Sequence, residues 1–239
     1  MILAAIALAH QDALPEATKV ISKMIARYHD AKRIKGECDT TVTIGEKVVN
    51  IKSTIQIERP TKLYLRQDVP DQGSYVLTSD GLQFSYQKPL STPRTDRNPG
   101  ARLVEDIFKG MRLGEIYHAA SESLAERSTP LDLLVSDLPD LQMMRDQWQS
   151  MNLTGQVDMN GEQVYRIVGK WRLNKVSPPS ANFGIFITAD GDLRKYVIDQ
   201  LPGLVPLARG ETEVRITRET TINVSIDAEI EPKLFTVLR

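Results

Sequence analysis

The residue types that could carry chemistry are few and widely spaced in this 239-residue chain. The histidines are His10, His29 and His118, and their spacing matches no metal-binding motif. Cys38 is the only cysteine, so the sequence has neither a disulfide framework nor a cysteine metal site, and it predicts a buried thiol. We therefore expect no metal ion and no cofactor.

Acidic pairs are the remaining candidates for acid–base catalysis. Glu105 with Asp106 matches a helix surface, and Asp190 with Asp192 matches a turn. Glycosidase-type carboxylates need not be adjacent in sequence, so that chemistry stays open, but no zinc-protease, nucleophile-elbow or phosphate-loop motif accompanies them. No catalytic residue is predicted, and a hydrolase is the weaker functional hypothesis.

The most unusual position is Arg59, which follows a strand pattern. Apolar and polar residues largely alternate over residues 49–58, and period-two alternation is typical of a strand with one face in a core. Ile55 and Ile57 share the apolar parity, which next falls on Arg59. The pattern predicts a guanidinium aimed at the apolar side. In the alternative, Pro60 begins a bend and Arg59 turns to solvent.

The composition is that of an ordinary globular protein. Hydrophobic residues make up 41% of the chain and charged residues 26%, which is enough to bury a full core. The 30 basic and 31 acidic residues nearly cancel, and no basic cluster is interleaved with aromatic residues. A nucleic-acid partner is therefore not expected.

Residues 1–10 are predicted to be the remnant of a signal peptide. The stretch "ILAAIALA" is short, apolar and rich in small residues, and Ala-Leu-Ala before His10 fits a signal-peptidase site. The alternative is a buried helical start. We expect the protein in the periplasm or otherwise exported, since no other apolar run approaches the roughly 18 residues of a membrane span.

The elements follow in the order helix, strands, helical insertion, strands. A helix is predicted from Pro15 onward, closed by Gly36, with apolar residues at helical spacing: Val20, Ile21, Met24, Ile25 and Tyr28. Strand hairpins are predicted with turns at residues 45–46, 79–81, 160–161 and 190–191.

The insertion spans residues 97–151. Residues 90–100 are rich in proline and polar residues and predict a mobile loop, and a helical stripe follows at Leu103, Val104, Ile107, Phe108 and Met111. Residues 113–127 and 138–151 are further helical candidates. Because so many strands must be closed or covered, we predict one curved antiparallel sheet in a single α+β domain of residues 11–239, with the insertion over its open side.

Residues 57–89, "IERPTKLYLRQDVPDQGSYVLTSDGLQFSYQKP", resemble a segment of the LolA/LolB-like lipoprotein-carrier superfamily. In that family a strand ending in Arg-Pro precedes an Asp-Gly hairpin and then the lid helices. Residues 183–198 and 227–237 are similar to the family's later paired strands and to its terminal motif before the last strand. The chain is longer than typical carriers and its insertion is larger, so the resemblance is to a divergent, outer-membrane lipoprotein-sorting-like branch.

The resemblance implies a half-open antiparallel β-barrel with an N-terminal helix and a helical lid over an apolar cavity that shelters acyl chains. It makes Arg59 a latch that hydrogen-bonds the lid backbone in the closed state. The implied partners are acylated lipoproteins or lipids, with an envelope membrane protein as donor or acceptor, and a monomer is expected. The predicted cavity lining comprises Ile55, Ile57, Arg59, Leu63, Leu65, Leu82, Phe84, Val104, Ile107, Phe108 and Met111.

For a protein of this family fold, the sequence leaves two functional roles open. The first is a carrier, or transport chaperone, for acyl chains. The second is an envelope regulator that senses lipids or lipoproteins and acts through protein partners on an outer face. Ordinary core packing explains each lining position equally well.

Overall fold

Helix α1, Ala17–Asp30, begins the part of the chain that the structure describes. This computed structural model describes residues 16–89, 103–120, 123–136, 146–172, 180–207 and 210–237. The predicted apolar stripe of α1 is confirmed, because its members from Val20 to Tyr28 are all buried. The described residues also include the shorter helices α2 (Leu113–Ala119) and α3 (Thr129–Val135).

Eleven strands of the described residues form one antiparallel sheet. The first six are β1 (Arg33–Ile44), β2 (Lys47–Glu58), β3 (Lys62–Val69), β4 (Gly73–Asp80), β5 (Gln83–Gln87) and β6 (Leu103–Asp106). The other five are β7 (Trp148–Met159), β8 (Glu162–Trp171), β9 (Ala181–Thr188), β10 (Leu193–Leu207) and β11 (Gly210–Ile226). A 3-10 turn at Pro232–Phe235 follows β11, and the described residues after it contain no further strand.

The strands lie in the order β6-β5-β4-β3-β2-β1-β11-β10-β9-β8-β7. Within the described residues β6 and β7 are therefore the two edges of an open sheet, and the β1–β11 pair joins its halves. The segment between β6 and β7 connects these two edges in the sequence. Its described part contains α2 and α3. Separate helices beside one open antiparallel sheet agree with the predicted α+β class.

The four predicted hairpin turns are confirmed, since each connects two strands that are neighbours in the sheet. The prediction that Gly36 closes α1 is wrong. The helix ends at Asp30, and Gly36 lies inside β1. A Cβ atom on Gly36 would lie 2.2 Å from the backbone oxygen of Asn223 on β11. The glycine therefore serves the close approach of two paired strands.

The helix predicted over residues 103–111 is wrong. Residues 103–106 form edge strand β6, which pairs with β5, and residues 107–112 are irregular. The helix predicted over residues 138–151 is also wrong from Trp148 onward, where β7 begins, while residues 138–145 lie outside the described residues. The predicted leader, residues 1–10, and the predicted loop, residues 90–100, lie outside them as well.

Helix α3 occupies a short segment between two predicted helices. Its start is defined by Ser128, whose hydroxyl accepts a hydrogen bond from the Leu131 amide at 3.4 Å, and by Pro130 in its first turn. A polar N-cap followed by proline is a common helix start. The cap therefore explains where this seven-residue helix begins.

The three helices pack against one face of the sheet, which we call the covered face. One continuous core joins both sides of this interface. Its sheet members include Ile34, Ile55, Ile57, Leu63, Leu65, Phe183 and Ile185, and its helix members include Ile21, Met24, Tyr28, Leu113, Ile116, Leu131 and Leu134. The apolar face of a sheet and the apolar sides of three helices thereby remove one another from water.

Candidate functional site

Arg59 lies immediately after β2 and on the covered side of the sheet. Its backbone N–H donates to the carbonyl of Lys32 at 2.9 Å. Its Nη2 donates to the carbonyl oxygen of Leu134 at 3.0 Å and to that of Tyr28 at 3.3 Å. Arg59 does not turn out to solvent at Pro60; its guanidinium reaches the backbone of two covering helices.

Both carbonyl acceptors lie in the last turn of a helix. Tyr28 is near the end of α1, and Leu134 is near the end of α3. The last four carbonyls of a helix have no intrahelical partner, and the partial negative charge at that end favours a cation. Arg59 therefore stabilises the ends of two helices from one position on the sheet.

Gln67 on β3 makes a second attachment between the sheet and the insertion. Its side-chain nitrogen donates to the carbonyl of Glu126 at 2.8 Å and to the hydroxyl of Ser53 at 3.3 Å. Its side-chain oxygen accepts from the amides of Ala125 at 2.9 Å and Glu126 at 3.2 Å. All four hydrogen-bonding positions of this buried amide are occupied, so it fixes the backbone that leads into α3.

Gln67 was not predicted from the sequence, although the alternation along β3 marks it. Leu63 and Leu65 share the covered parity of β3, and the next position of that parity is Gln67. A polar residue in an apolar parity is the same signal that singles out Arg59. At both positions the polar side chain reaches backbone groups of the segment between β6 and β7, which we call the covering segment.

An ion pair lies beside the second attachment. The Nε of Arg218, on β11, lies 3.1 Å from a carboxylate oxygen of Glu126, at an angle that does not make a hydrogen bond. Burial raises the pKa of Glu126, and the charge of Arg218 opposes that rise. The carboxylate is thus held in a place where burial disfavours its charge and a neighbouring cation favours it.

Five of the predicted lining residues lie in the core of the covered face. Ile55, Ile57, Leu63 and Leu65 are fully buried, and Phe84 is almost so. Ile107 and Met111 are partly buried and pack against the same core. These positions belong to, or pack against, the same core as the covering helices, so an acyl chain would have to displace part of that core to reach them.

Three predicted lining residues do not face the core, and their predicted inward orientation is wrong. Leu82 is 78% exposed because it lies in the turn before β5, where the Asp80 carboxylate accepts from its amide. Phe108 is 76% exposed because it lies in the irregular segment after β6. Val104 is 37% exposed on the edge strand itself.

The described thiol is buried, and the two described imidazoles lie beside charged side chains. Cys38 is a free, buried thiol, as predicted, and burial raises its pKa to about 12. His29 lies 2.9 Å from Asp30, and His118 lies 3.2 Å from Arg127 on the protein surface. In the described part of the chain, no three His, Cys, Asp or Glu residues lie close enough together to hold a metal ion.

None of the helices in the described ranges is long and apolar enough to cross a membrane.

The sequence matches no protein-family model and no curated protein sequence. Several solved structures are similar to this chain. The lipoprotein LppX of Mycobacterium tuberculosis is 11% identical with a TM-score of 0.45, and the match covers 89% of this chain and 96% of LppX. The MucA/MucB complex of Pseudomonas aeruginosa gives 9% identity and a TM-score of 0.46, over 92% of this chain and 60% of that one.

A LolA superfamily protein from Nitrosomonas europaea is also similar, with 11% identity, a TM-score of 0.30, and coverage of 94% of this chain and 99% of that one. A protein of the family that the sequence motifs resemble is thus among the similar structures. At these identities and TM-scores, the similarities carry no argument about what this chain binds or does.

Proposed function

We propose that this chain is an exported binding protein that shelters acyl chains of lipoproteins or lipids between its covering helices and the covered face of its sheet. The observation that carries the proposal is the pair of hydrogen bonds from Arg59 to the ends of α1 and α3. One side chain at the rim of an apolar face holds both helices that would have to separate to admit a ligand. Such an arrangement supports a closed state that can open.

Acyl binding needs apolar area more than it needs polar contacts. Each methylene group moved out of water contributes about 0.8 kcal/mol. The covered face supplies that area through Ile55, Ile57, Leu63, Leu65 and Phe84, with Ile107 and Met111 at its margin. In the closed state the helices cover this apolar area. A bound acyl chain would take the place of the helices in contact with it.

Native mass spectrometry of the protein purified from its own host tests the proposal directly. We expect an added mass that is released on denaturation and that fragments as a lipid or as the acylated end of a lipoprotein. A preparation carried through delipidation and refolding is the matched control and should regain the mass from added lipid. If the protein carries no lipid and binds no fluorescent fatty-acyl probe, the proposal is wrong.

A second candidate is a sensing regulator that acts through protein partners. The observation that favours it is the group of exposed apolar side chains at or beside edge strand β6, namely Leu82, Val104 and Phe108. A complex with an envelope protein that survives delipidation, and that is lost in Phe108→Ser, would favour regulation. A complex that forms only with lipid present would favour carriage.

Export, a monomeric state and a binding rather than catalytic role complete the proposal. Export rests on the apolar "ILAAIALA" stretch and the Ala-Leu-Ala site. Fractionation of host cells tests it, and recovery of the protein with the cytoplasm would contradict it. Turnover of a panel of generic esters by the purified protein would contradict the binding role and favour a hydrolase.

A further inference from the structure

A pocket of about 260 Å³ lies between the start of α3 and strands β8, β10 and β11, and we call it the α3 pocket. Its apolar wall consists of Trp171, Tyr196, Ile198 and Leu201. Its polar wall includes Ser128, Thr129, Asp132, Arg127, Arg218 and Thr220. Tyr196 and Ile198 belong to the core of the covered face, so the pocket adjoins the place where an acyl chain would lie.

The two tryptophans near this pocket differ in one atom's surroundings. The Nε1 of Trp148 donates to the hydroxyl of Tyr196 at 3.1 Å. The Nε1 of Trp171 is buried and has no hydrogen-bond partner among the described residues. Buried indole N–H groups usually have an acceptor, and one that lacks it is costly to the closed, empty state. An acceptor supplied from outside would remove that cost.

The charges of the pocket indicate what kind of acceptor fits. Arg127 pairs with Asp132 at 3.0 Å, and Arg218 lies 3.1 Å from Glu126. Each cation therefore has its own carboxylate, and these four formal charges cancel. A phosphate or carboxylate would bring an uncompensated negative charge, whereas a neutral carbonyl would not.

We propose that the α3 pocket receives the ester carbonyl at the head of a bound acyl chain, with Trp171 Nε1 donating to the carbonyl oxygen. This inference rests on the proposed function and names its ligand class as acyl esters. The indole N–H is shielded in the closed state, so the carbonyl reaches it as α3 shifts. Pockets for whole small molecules are about 300–1,000 Å³, so this one has room for the ester linkage and not for the chain.

The test compares methyl palmitate with hexadecyl methyl ether, which has a similar chain and lacks the carbonyl. Both compete with the apolar dye phenylnaphthylamine for the wild-type protein, for Trp171→Phe and for Trp148→Phe. Wild type should bind the ester about three- to tenfold more tightly than the ether, as expected for one neutral hydrogen bond in a buried site. Trp171→Phe keeps the ring and should lose this preference while still binding the ether.

Trp148→Phe is the matched control, because it removes an indole N–H that already has a partner within the protein. It should keep the ester preference and lower the free energy of unfolding, whereas Trp171→Phe should leave that free energy unchanged or raise it. Equal binding of ester and ether by wild type, or an ester preference retained in Trp171→Phe, would overturn the inference and leave the proposed function standing. Failure of wild type to bind either compound would overturn the proposed function itself.

Discussion

At the scale of single residues, the feature with the greatest consequence is the arginine that holds two helix ends. Its Nη2 contacts the carbonyls of Tyr28 and Leu134. A guanidinium is planar and keeps its charge, so it can hold such acceptors in a fixed geometry, whereas a lysine ammonium is a mobile point charge. The residue type at position 59 is therefore part of the proposed closing device.

Arg59→Leu should keep the fold and accelerate ligand exchange. Hydrogen bonds to a charged group contribute about 1.5–3 kcal/mol, and their loss from the closed state would shift the opening equilibrium by roughly tenfold or more. Stopped-flow release of a bound fluorescent fatty-acyl probe measures the change, and Arg59→Lys should give an intermediate rate. Identical release rates in wild type and a folded Arg59→Leu protein would contradict the latch.

Gln67→Leu should loosen the approach to α3 and destabilise the protein. The substitution leaves the amides of Ala125 and Glu126 without their acceptor, and buried groups in that state cost about 1–3 kcal/mol each. Urea unfolding should show a loss of about 2 kcal/mol or more. Gln156→Leu, on an exposed position of β7, is the control.

Amide hydrogen exchange gives a local measure of the same change. Exchange at Ala125 and Glu126 should be faster in Gln67→Leu than in wild type and unchanged in Gln156→Leu. Unaltered protection of these two amides would show that Gln67 does not hold the segment.

Loss of the Glu126 carboxyl proton should lower the free energy of unfolding as the pH rises from mildly acidic values. Its folded-state pKa is raised, chiefly by burial, so the folded protein binds this proton more tightly than the unfolded chain does. The contribution is fully present below the unfolded pKa, near the usual value of about 4.3, and is lost as the pH rises through the folded pKa.

Urea unfolding at a series of pH values tests this sign with Glu126→Gln, which does not titrate. The stability of wild type minus that of the variant should decrease as the pH rises across that window. A difference that stays constant, or that increases with pH, would mean that the pKa of Glu126 is not raised in the folded protein.

At the scale of elements, alternation in the sequence predicted the strands where one face is buried. Ile55, Ile57, Leu63 and Leu65 alternate with polar residues, and all four are buried on the covered face. Turn residues fixed the hairpin ends because few residues adopt those backbone conformations. The inward position of Arg59 followed from the same period, and the parity of β3 marked Gln67 equally well.

The insertion was harder to predict because its segments are short. The spacing of apolar residues over 103–111 fits a helix, but pairing with β5 satisfies the backbone of residues 103–106 as a strand. Five of the seven residues in Thr129–Val135 are apolar, and so short a run has no clear period. The α3 pocket is lined by residues from four elements far apart in sequence, so no local pattern could predict it.

Gly36→Ala tests how tightly the two halves of the sheet approach each other. The added methyl group would lie 2.2 Å from a backbone oxygen of β11, so the β1–β11 pair must shift. We expect a loss of about 1–3 kcal/mol in the free energy of unfolding, as for overpacking of a core.

Gly184→Ala is the matched control for that substitution. Gly184 also lies within a strand, and its nearest contact to an added Cβ atom would be 3.7 Å, which is ordinary van der Waals contact. Equal stability of the two alanine variants in urea unfolding would show that the close approach at Gly36 is relieved without cost.

At the scale of the whole molecule, the strand order constrains how the covering segment would move in the proposed opening. The segment leaves the sheet at β6 and returns at β7, the two edges of the described sheet. In the proposed opening, the segment would therefore stay attached at two edges and would not turn about one end. The gap of the proposed open state would form along the two long sides of the segment, so an acyl chain would enter from the side and lie parallel to it. Because both ends would stay attached to strands, the proposed closing would need no long-range search by the segment.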